Sequence, residues 1–168
     1  MKRILIALMA VPLILVAIPR PAWAKGATSK ITISGGGLAS EIEVTDPRIL
    51  DISNAWFGRF IDGSKGAVKE PPRGLRTYEV WFYIKFSDND VRRRYVVYYS
   101  PDPSTGQGYI YLPGKGQPWY WLNTSALLRD GRDGKWSYAS AGWQDLIKPV
   151  IAGAEAAATK HERASNLQ

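Results

Sequence analysis

The chain has 168 residues, a formal net charge of +7 and no cysteine, and 45% of its residues are hydrophobic. The lack of cysteine excludes disulfides, thiolate nucleophiles and cysteine-ligated metal sites. The length fits one domain that can bury an ordinary core, whereas two domains would be unusually small.

The first 24 residues have the order of a secretory signal. Met1-Lys2-Arg3 is positively charged, residues 4–18 are apolar, and Ala22-Trp23-Ala24 offers a cleavage site between small residues. The apolar stretch is shorter than the ~20 residues that a membrane-spanning helix needs. We therefore expect residues 1–24 to be a signal peptide and the mature chain to begin at Lys25. The protein would be exported, periplasmic or secreted, with no transmembrane segment after cleavage.

Cleavage of this segment also lowers the net charge. Of the 22 Lys and Arg residues, Lys2, Arg3 and Arg20 are lost, which leaves 19 basic against 15 acidic residues, a net charge of +4. Such a surplus is ordinary for a soluble surface. We expect no nucleic-acid partner.

The first elements of the mature chain are a hairpin and a helix. Residues 30–34 and 41–45 alternate at period two around Gly35-Gly36-Gly37, which predicts two strands with alternate apolar residues buried. Asp46-Pro47 has the residue types of a helix start. Apolar side chains recur at gaps of three and four up to the turn at Asp62-Gly63, which predicts a helix over that stretch. These side chains are Ile49, Ile52, Trp56 and Phe60.

The strongest pattern predicts a long hairpin. Residues 77–86 and 91–100 are rich in aromatic and β-branched residues, and residues 87–90 form the turn between them. In the first arm, alternation assigns Tyr78, Val80, Phe82, Ile84 and Phe86 to the core and Glu79, Trp81, Tyr83 and Lys85 to the opposite face.

Short strands and a last helix complete the predicted fold. We expect strands at residues 109–112, 119–122 and 135–138, with about one helical turn over residues 123–128. Ser140 is placed to cap a helix that Pro149 kinks or ends. The fold class is therefore α+β, a mostly antiparallel β meander with two short helices in a single domain.

The carboxyl-terminal residues are alanine-rich and polar. They favour a helix but carry few large apolar side chains, so we expect residues 156–168 to fray and residues 25–155 to form the domain. The only histidine, His161, lies in this tail, where no packed framework would hold it as a catalytic base.

Motifs that carry chemistry are weak throughout the chain. The acidic turns at residues 87–90 and 130–133 lack the spacing of a calcium loop. Gly114-Lys115-Gly116 lacks the Ser or Thr and the helix of a phosphate loop. We expect no metal, no cofactor and no catalytic residue. The run Arg92-Arg93-Arg94 is interpreted as an exposed strand end, with binding of an anionic polymer as the alternative. Alternation places Arg92 and Arg94 on one face and Arg93 on the other, beside Val91 and Tyr95.

Aromatic residues on neighbouring strands give the best functional hypothesis. The crowded rings are those of Trp81, Tyr83, Tyr98, Tyr109, Tyr111, Trp119 and Trp121. Exposed rings would stack on sugars, with Trp81, Tyr83, Tyr109 and Tyr111 as the candidate binding residues, although such rings more commonly pack in cores. Glu79 is the one acid among them, and a glycoside hydrolase would need a second carboxyl group beside it.

Several short segments carry a resemblance. They are Ile31-Thr32-Ile33-Ser34-Gly35 with Gly37-Leu38, Ile42-Glu43-Val44-Thr45-Asp46, Asn54-Ala55-Trp56-Phe57-Gly58-Arg59-Phe60 and Tyr109-Ile110-Tyr111-Leu112-Pro113-Gly114. The chain resembles a loose set of exported bacterial proteins with no established activity. The resemblance implies export and transfers no catalytic residue.

Three functions therefore stay open. The first is a non-enzymatic exported domain that binds an envelope component or a protein partner. The second is a carbohydrate-binding module that uses the aromatic strand face, and the third is a glycoside hydrolase-like enzyme that uses Glu79.

Overall fold

Six strands and three helices make up the part of the chain that the structure describes. The computed structural model describes residues 26–54, 58–70, 73–123 and 131–165. The strands are β1 (Ala27–Gly35), β2 (Ile42–Val44), β3 (Tyr78–Ser87), β4 (Asp90–Pro101), β5 (Gly108–Tyr111) and β6 (Trp136–Tyr138). The helices are α1 (Pro47–Ile52), α2 (Tyr120–Asn123) and α3 (Ala141–Ser165). The predicted signal peptide lies outside the described residues.

The strands form one antiparallel sheet in the order β2-β1-β3-β4-β5-β6. The α+β class predicted from the sequence is confirmed. Strands β3 to β6 form a meander. The hairpin of β1 and β2 extends the sheet on the other side, with β1 next to β3. We call the face of the sheet that carries α1 and α3 the inner face and the opposite one the outer face.

The first hairpin has the predicted register. Ile31 pairs with Val44 and Ile33 with Ile42, which places all four side chains on the inner face. Gly35, Gly36 and Gly37 all have positive φ angles, which glycine adopts without the strain of a side chain. The three consecutive glycines therefore allow the chain to make the turn between β1 and β2.

Helix α1 begins as predicted and ends early. The Asp46 carboxylate accepts a hydrogen bond from the Arg48 amide, and Pro47 occupies the first turn. The helix stops at Ser53, so the prediction that it continues to Asp62 is wrong. Phe60 is nevertheless buried, because the chain turns at Gly58 with a positive φ and brings its ring to 5.1 Å from Phe82. Trp56 lies outside the described residues.

The long hairpin of β3 and β4 is confirmed, with the turn at residues 88–89. Its predicted inner residues are fully or almost fully buried as far as Ile84. Phe86 is an exception, because the strand projects beyond the core and leaves its ring exposed.

The strand predicted at residues 119–122 is wrong. Trp119 has a positive φ of 67°, and the Leu122 amide bonds its carbonyl oxygen, so the chain forms the short helix α2. This helical turn brings Leu122 into contact with Val96 of β4 and with Trp81. Most of the helical turn predicted at residues 123–128 lies outside the described residues.

Helix α3 packs on the inner face and runs past Pro149. Ser140 caps it by accepting a hydrogen bond from the Trp143 amide, and Trp143, Ile147 and Ile151 are buried. Pro149 removes one backbone hydrogen bond, but the buried residues on either side of it hold the helix on the sheet. Of the two predicted alternatives, an end of the helix at Pro149 is therefore wrong, and a kink there stays a prediction. Residues 156–165 are helical, and their fraying in solution stays a prediction.

The loop after α1 covers the edge of the sheet at β6. The Val68 amide donates to the Trp136 carbonyl oxygen at 2.8 Å, and the Asp62 amide donates to that of Tyr138 at 2.9 Å. Within the described ranges, no helix has the length and apolar character needed to cross a membrane.

Candidate functional site: the outer face of the sheet

Alternation along the strands brings aromatic side chains together on the outer face. Glu79 pairs with Tyr98, Tyr98 with Tyr111, and Tyr111 with Trp136, so one line of paired residues crosses β3, β4, β5 and β6. We call Tyr98, Tyr111 and Trp136 the aromatic row. Cross-strand neighbours on one face lie close enough for their side chains to interact.

The rings of the aromatic row are in contact and partly exposed. The centroids of Tyr98 and Tyr111 are 6.3 Å apart, and those of Tyr111 and Trp136 are 5.1 Å apart. Successive ring planes are tilted by 43° and 44°, so the row is corrugated. All three side chains are partly exposed, and they present ring surface and polar edges to solvent.

Polar groups border the aromatic row on two sides. On β5, in the middle of the row, the Tyr111 hydroxyl donates a hydrogen bond of 2.7 Å to Gln117 Oε1. At the β3 end, Glu79 Oε1 accepts a hydrogen bond from the indole nitrogen of Trp81. Burial raises the pKa of Tyr98, and the charge of Glu79 raises it further. Tyr98 is therefore a neutral hydroxyl at physiological pH.

A second aromatic pair lies beside the row. The rings of Tyr109 and Tyr138 are 5.7 Å apart, and the Lys65 ammonium lies 5.0 Å from the centre of the Tyr138 ring. Tyr109 is buried, whereas Tyr138 is partly exposed. This pair extends the aromatic surface but offers less accessible ring area.

Trp81 is covered on the outer face. Only 3% of its surface is exposed, because Leu122 and Val96 pack against it and the Trp119 ring lies 5.0 Å away in an edge-on arrangement. Asn123 holds this cover in place: its side chain accepts from the Val96 amide at 3.0 Å and donates to the Val96 carbonyl at 2.7 Å.

A β-bulge redirects the arginine run of β4. Phe82 pairs with Tyr95 but Tyr83 pairs with Arg93, so Arg94 is the extra residue. Simple alternation predicts Arg93 on the same face as Tyr95, and the bulge makes that prediction wrong. Arg93 instead lies on the outer face, where its guanidinium carbon is 4.7 Å from the centre of the Trp81 ring.

Two cations flank Tyr83 as a result. Arg93 Nε donates to the Tyr83 hydroxyl at 2.8 Å, and this bond raises the pKa of Arg93. On the other side, the Lys30 ammonium lies 4.7 Å from the centre of the Tyr83 ring and pairs with Glu43 at 2.7 Å. A bulge in β1 beside Thr28 places Lys30 opposite Tyr83.

The outer face therefore divides the five residues singled out from the sequence. Tyr83, Tyr111 and Glu79 are partly exposed and stay available to a ligand, whereas Trp81 and Tyr109 are buried. Sequence reasoning missed Trp136 and Tyr138 as site residues. Their spacing of two in a predicted strand places both on one face, but only the pairing of β6 with β5 shows that this is the face of Tyr111.

Catalytic chemistry has little support on this face. Among the residues that the structure describes, no cluster of three or more His, Asp or Glu side chains is placed to hold a metal ion. The polar contact of Glu79 is with the Trp81 indole, and this contact does not supply the second carboxyl group of a glycosidase.

A groove at the opposite end of the sheet is lined by charged groups that pair with one another. Its lining includes Arg76, Tyr78, Pro101, Pro103 and Glu155. Arg76 pairs with Glu155 at 2.5 Å, and the Tyr78 hydroxyl donates to the same carboxylate oxygen at 2.9 Å. Burial and this hydrogen bond raise the pKa of Tyr78. The three groups connect β3 to α3, so we assign them a structural role.

Comparison of the chain with protein-family models, with curated proteins and with solved structures found no match in any of the three. The resemblance to exported bacterial proteins therefore stays a prediction.

Proposed function

We propose that the protein is an exported, non-enzymatic binding domain whose aromatic row contacts a polysaccharide of the cell envelope. The observation that carries the proposal is the contact series of Tyr98, Tyr111 and Trp136 across three strands, with ring surface left partly open. Aromatic rings provide large apolar area at a low entropy cost and carry polar edges for hydrogen bonds.

The shape of the row favours a single glycan chain. Chains of β-1,4-linked sugars present apolar C–H surfaces on their ring faces and hydroxyl groups at their edges. A plane of rings would match a flat crystalline surface, but the rings here are tilted by 43° and 44°. A corrugated strip is better suited to one chain that twists in solution.

The polar groups beside the row fit the edges of such a chain. Gln117 and the Tyr111 hydroxyl lie beside the middle of the row, and Glu79 lies next to Tyr98 at its β3 end. The indole of Trp81 holds Glu79 through Oε1, and the carboxylate, on the strand position next to Tyr98, is an acceptor for sugar hydroxyls. Glu79 thus acts in binding, and the proposal requires no bond cleavage.

Affinity electrophoresis tests this proposal. The probes are soluble glycan chains released from peptidoglycan, chito-oligosaccharides and cello-oligosaccharides. We expect retardation by the peptidoglycan chains and about a tenfold loss of affinity in Trp136→Ala, which corresponds to about 1.4 kcal/mol. Phe86→Ala, which removes an exposed ring far from the row, is the matched control and should bind as the unmodified chain does. Failure to bind any of the three glycans would overturn the proposal.

Export is tested separately. Intact-mass analysis of the released chain should give a mass that starts at Lys25, because Ala22 and Ala24 occupy the small positions of the cleavage site. A released chain that retains residues 1–24 would contradict this part of the proposal.

A further inference from the structure

The large apolar side chains that remain exposed lie at the turn between β3 and β4 and at the start of α2. Within the described ranges, they are Phe86 (42% exposed), Val91 (46%), Trp119 (39%) and Trp121 (66%). Phe86 and Val91 flank the turn between β3 and β4, and the two tryptophans flank Tyr120 at the start of α2. Exposed apolar groups that cluster in this way mark interaction sites more often than isolated ones do.

The arginines of β4 connect these residues. The Trp119 ring and the Arg93 guanidinium both lie against the Trp81 ring, at 5.0 Å and 4.7 Å, and the Arg94 guanidinium lies against the Phe86 ring. Asn123 bonds both backbone groups of Val96 and so anchors α2 beside β4. Val91 lies five residues before Val96, a distance of about 16 Å along the strand. Strand β5 pairs only with residues 98–101 of β4, so it does not cover the edge between Val91 and Val96.

Positive charge accompanies this surface. Lys85 pairs with Asp88, and Arg92 pairs with Asp90. Arg93 and Arg94 form no ion pair with any carboxylate in the described residues. The Arg94 guanidinium lies 5.3 Å from the centre of the exposed Phe86 ring, and its Nε is buried without a hydrogen-bond partner.

We propose that this edge docks on an anionic phospholipid surface. The docking edge consists of Phe86, Val91, Arg93, Arg94, Trp119 and Trp121. Tryptophan and phenylalanine rings favour the interface between headgroups and acyl chains. Arginine forms paired hydrogen bonds with phosphate, and cations near an anionic leaflet gain electrostatic attraction.

Lipid fits this edge better than a soluble anionic polymer does. Phe86 and Val91 flank a projecting turn and present no polar group of their own, so they leave water only by entering an apolar layer. A polymer that pairs with Arg93 and Arg94 would leave both side chains in water. The proposal is independent of the aromatic row, which lies over β4, β5 and β6.

Vesicle co-sedimentation tests the proposal. The chain is used in the form that the producing cells release, and every variant carries the same amino terminus. Vesicles of phosphatidylcholine alone are compared with vesicles that contain equal parts of phosphatidylcholine and phosphatidylglycerol. We expect binding to the anionic vesicles only, weakened by salt. The double variant Arg93→Gln with Arg94→Gln should lose about tenfold or more in affinity, since each cation near the surface contributes about fivefold.

Matched controls separate docking from general charge. The double variant Lys69→Gln with Arg73→Gln removes the same charge from exposed positions in the loop that precedes β3. This loop lies away from the docking edge, so the variant should bind as the unmodified chain does. Phe86→Ser with Val91→Ser should weaken binding without altering the circular dichroism spectrum, because both side chains are exposed. Trp136→Ala should leave vesicle binding unchanged, which separates this result from that of the glycan experiment.

Three results would overturn the proposal. They are equal binding to neutral and anionic vesicles, equal losses in the two double charge variants, and retention by soluble alginate without any vesicle binding.

Discussion

Phe82 and Trp81 are neighbours on β3, yet their side chains lie in very different surroundings. Phe82, on the inner face, packs against Phe60 in a core that α1 and α3 complete. Trp81, on the outer face, is covered by the few residues around α2. Beyond Trp81, the rings of the outer face cover one another only in part.

The difference shows that aromatic content alone does not define a core. Both faces of the sheet use Tyr and Trp, but the inner face removes its rings from water with helices. On the outer face, the rings of the aromatic row contact each other and remain partly exposed. A face of the second kind has apolar area available for a ligand at little cost in stability.

The largest expected effect is on the inner face. Phe82→Ala should lower the free energy of unfolding by about 3–5 kcal/mol, because the cavity is surrounded by packed side chains that cannot collapse. Trp81→Ala should cost less, about 3 kcal/mol at the low end of that range, because the short helix α2 can move into the space. Urea unfolding of both variants measures the contrast. A larger loss for Trp81→Ala would mean that the outer face is the better packed one.

The cover of Trp81 depends on Asn123, which gives the next effect in size. Asn123→Ala leaves the amide and carbonyl of Val96 without these partners and should cost about 1–3 kcal/mol. Asn123→Asp keeps the acceptor but loses the donor, so its loss should be intermediate. If both variants unfold like the unmodified chain, then α2 does not stabilise the outer face.

Tyr98 and Tyr99 extend the comparison to alkaline pH. Burial raises the pKa of Tyr99 well above its ordinary value of 10.0, and its hydroxyl is buried without a hydrogen-bond partner. The folded state therefore holds the neutral form. Its contribution to stability is fully present below the unfolded-state pKa and is lost as the pH rises from there toward the folded-state pKa.

Tyr99→Phe should accordingly be close to neutral in stability near pH 7 and should reduce the loss of stability above about pH 10. Tyr98→Phe is the control on the outer face and should change the alkaline loss less, because Tyr98 is partly exposed. Urea unfolding across that pH range tests the pair. An unchanged alkaline loss in Tyr99→Phe would show that its hydroxyl is hydrated in the folded protein.

The smallest effect is expected far from both faces. Deletion of residues 156–168 retains Glu155, which pairs with Arg76 and Tyr78, and removes mostly small or polar side chains. The melting temperature should stay nearly unchanged. A drop of several degrees would show that the end of α3 docks on the domain.

Much of the fold follows from residue patterns. Alternation and the glycine turns predicted the hairpins, and Asp46 with Pro47 predicted the start of α1, because these signals are local. The helix at residues 120–123 was missed because a run of four residues such as Tyr-Trp-Leu-Asn suits a strand or a helix equally, and the positive φ of Trp119 decides between them.

The site was less predictable than the fold. Strand alternation predicts that Glu79 and Tyr83 share a face of β3, but only the strand pairing shows that Tyr111 lies on the same face. Alternation also does not show that α2 covers Trp81. The bulge at Arg94 reverses the face of Arg93, and no residue in that run signals it. Cover and bulges depend on contacts between distant segments, which periodicity does not contain.

The central claim is that the aromatic row is the ligand surface, and aromatic NMR spectra recorded during titration with peptidoglycan-derived glycan chains test it most directly. The ring signals of Tyr98, Tyr111 and Trp136 should shift together and saturate. Those of Phe82 in the core and Phe86 on the docking edge should stay in place. Saturable shifts confined to other rings, with the aromatic row unchanged, would contradict the account.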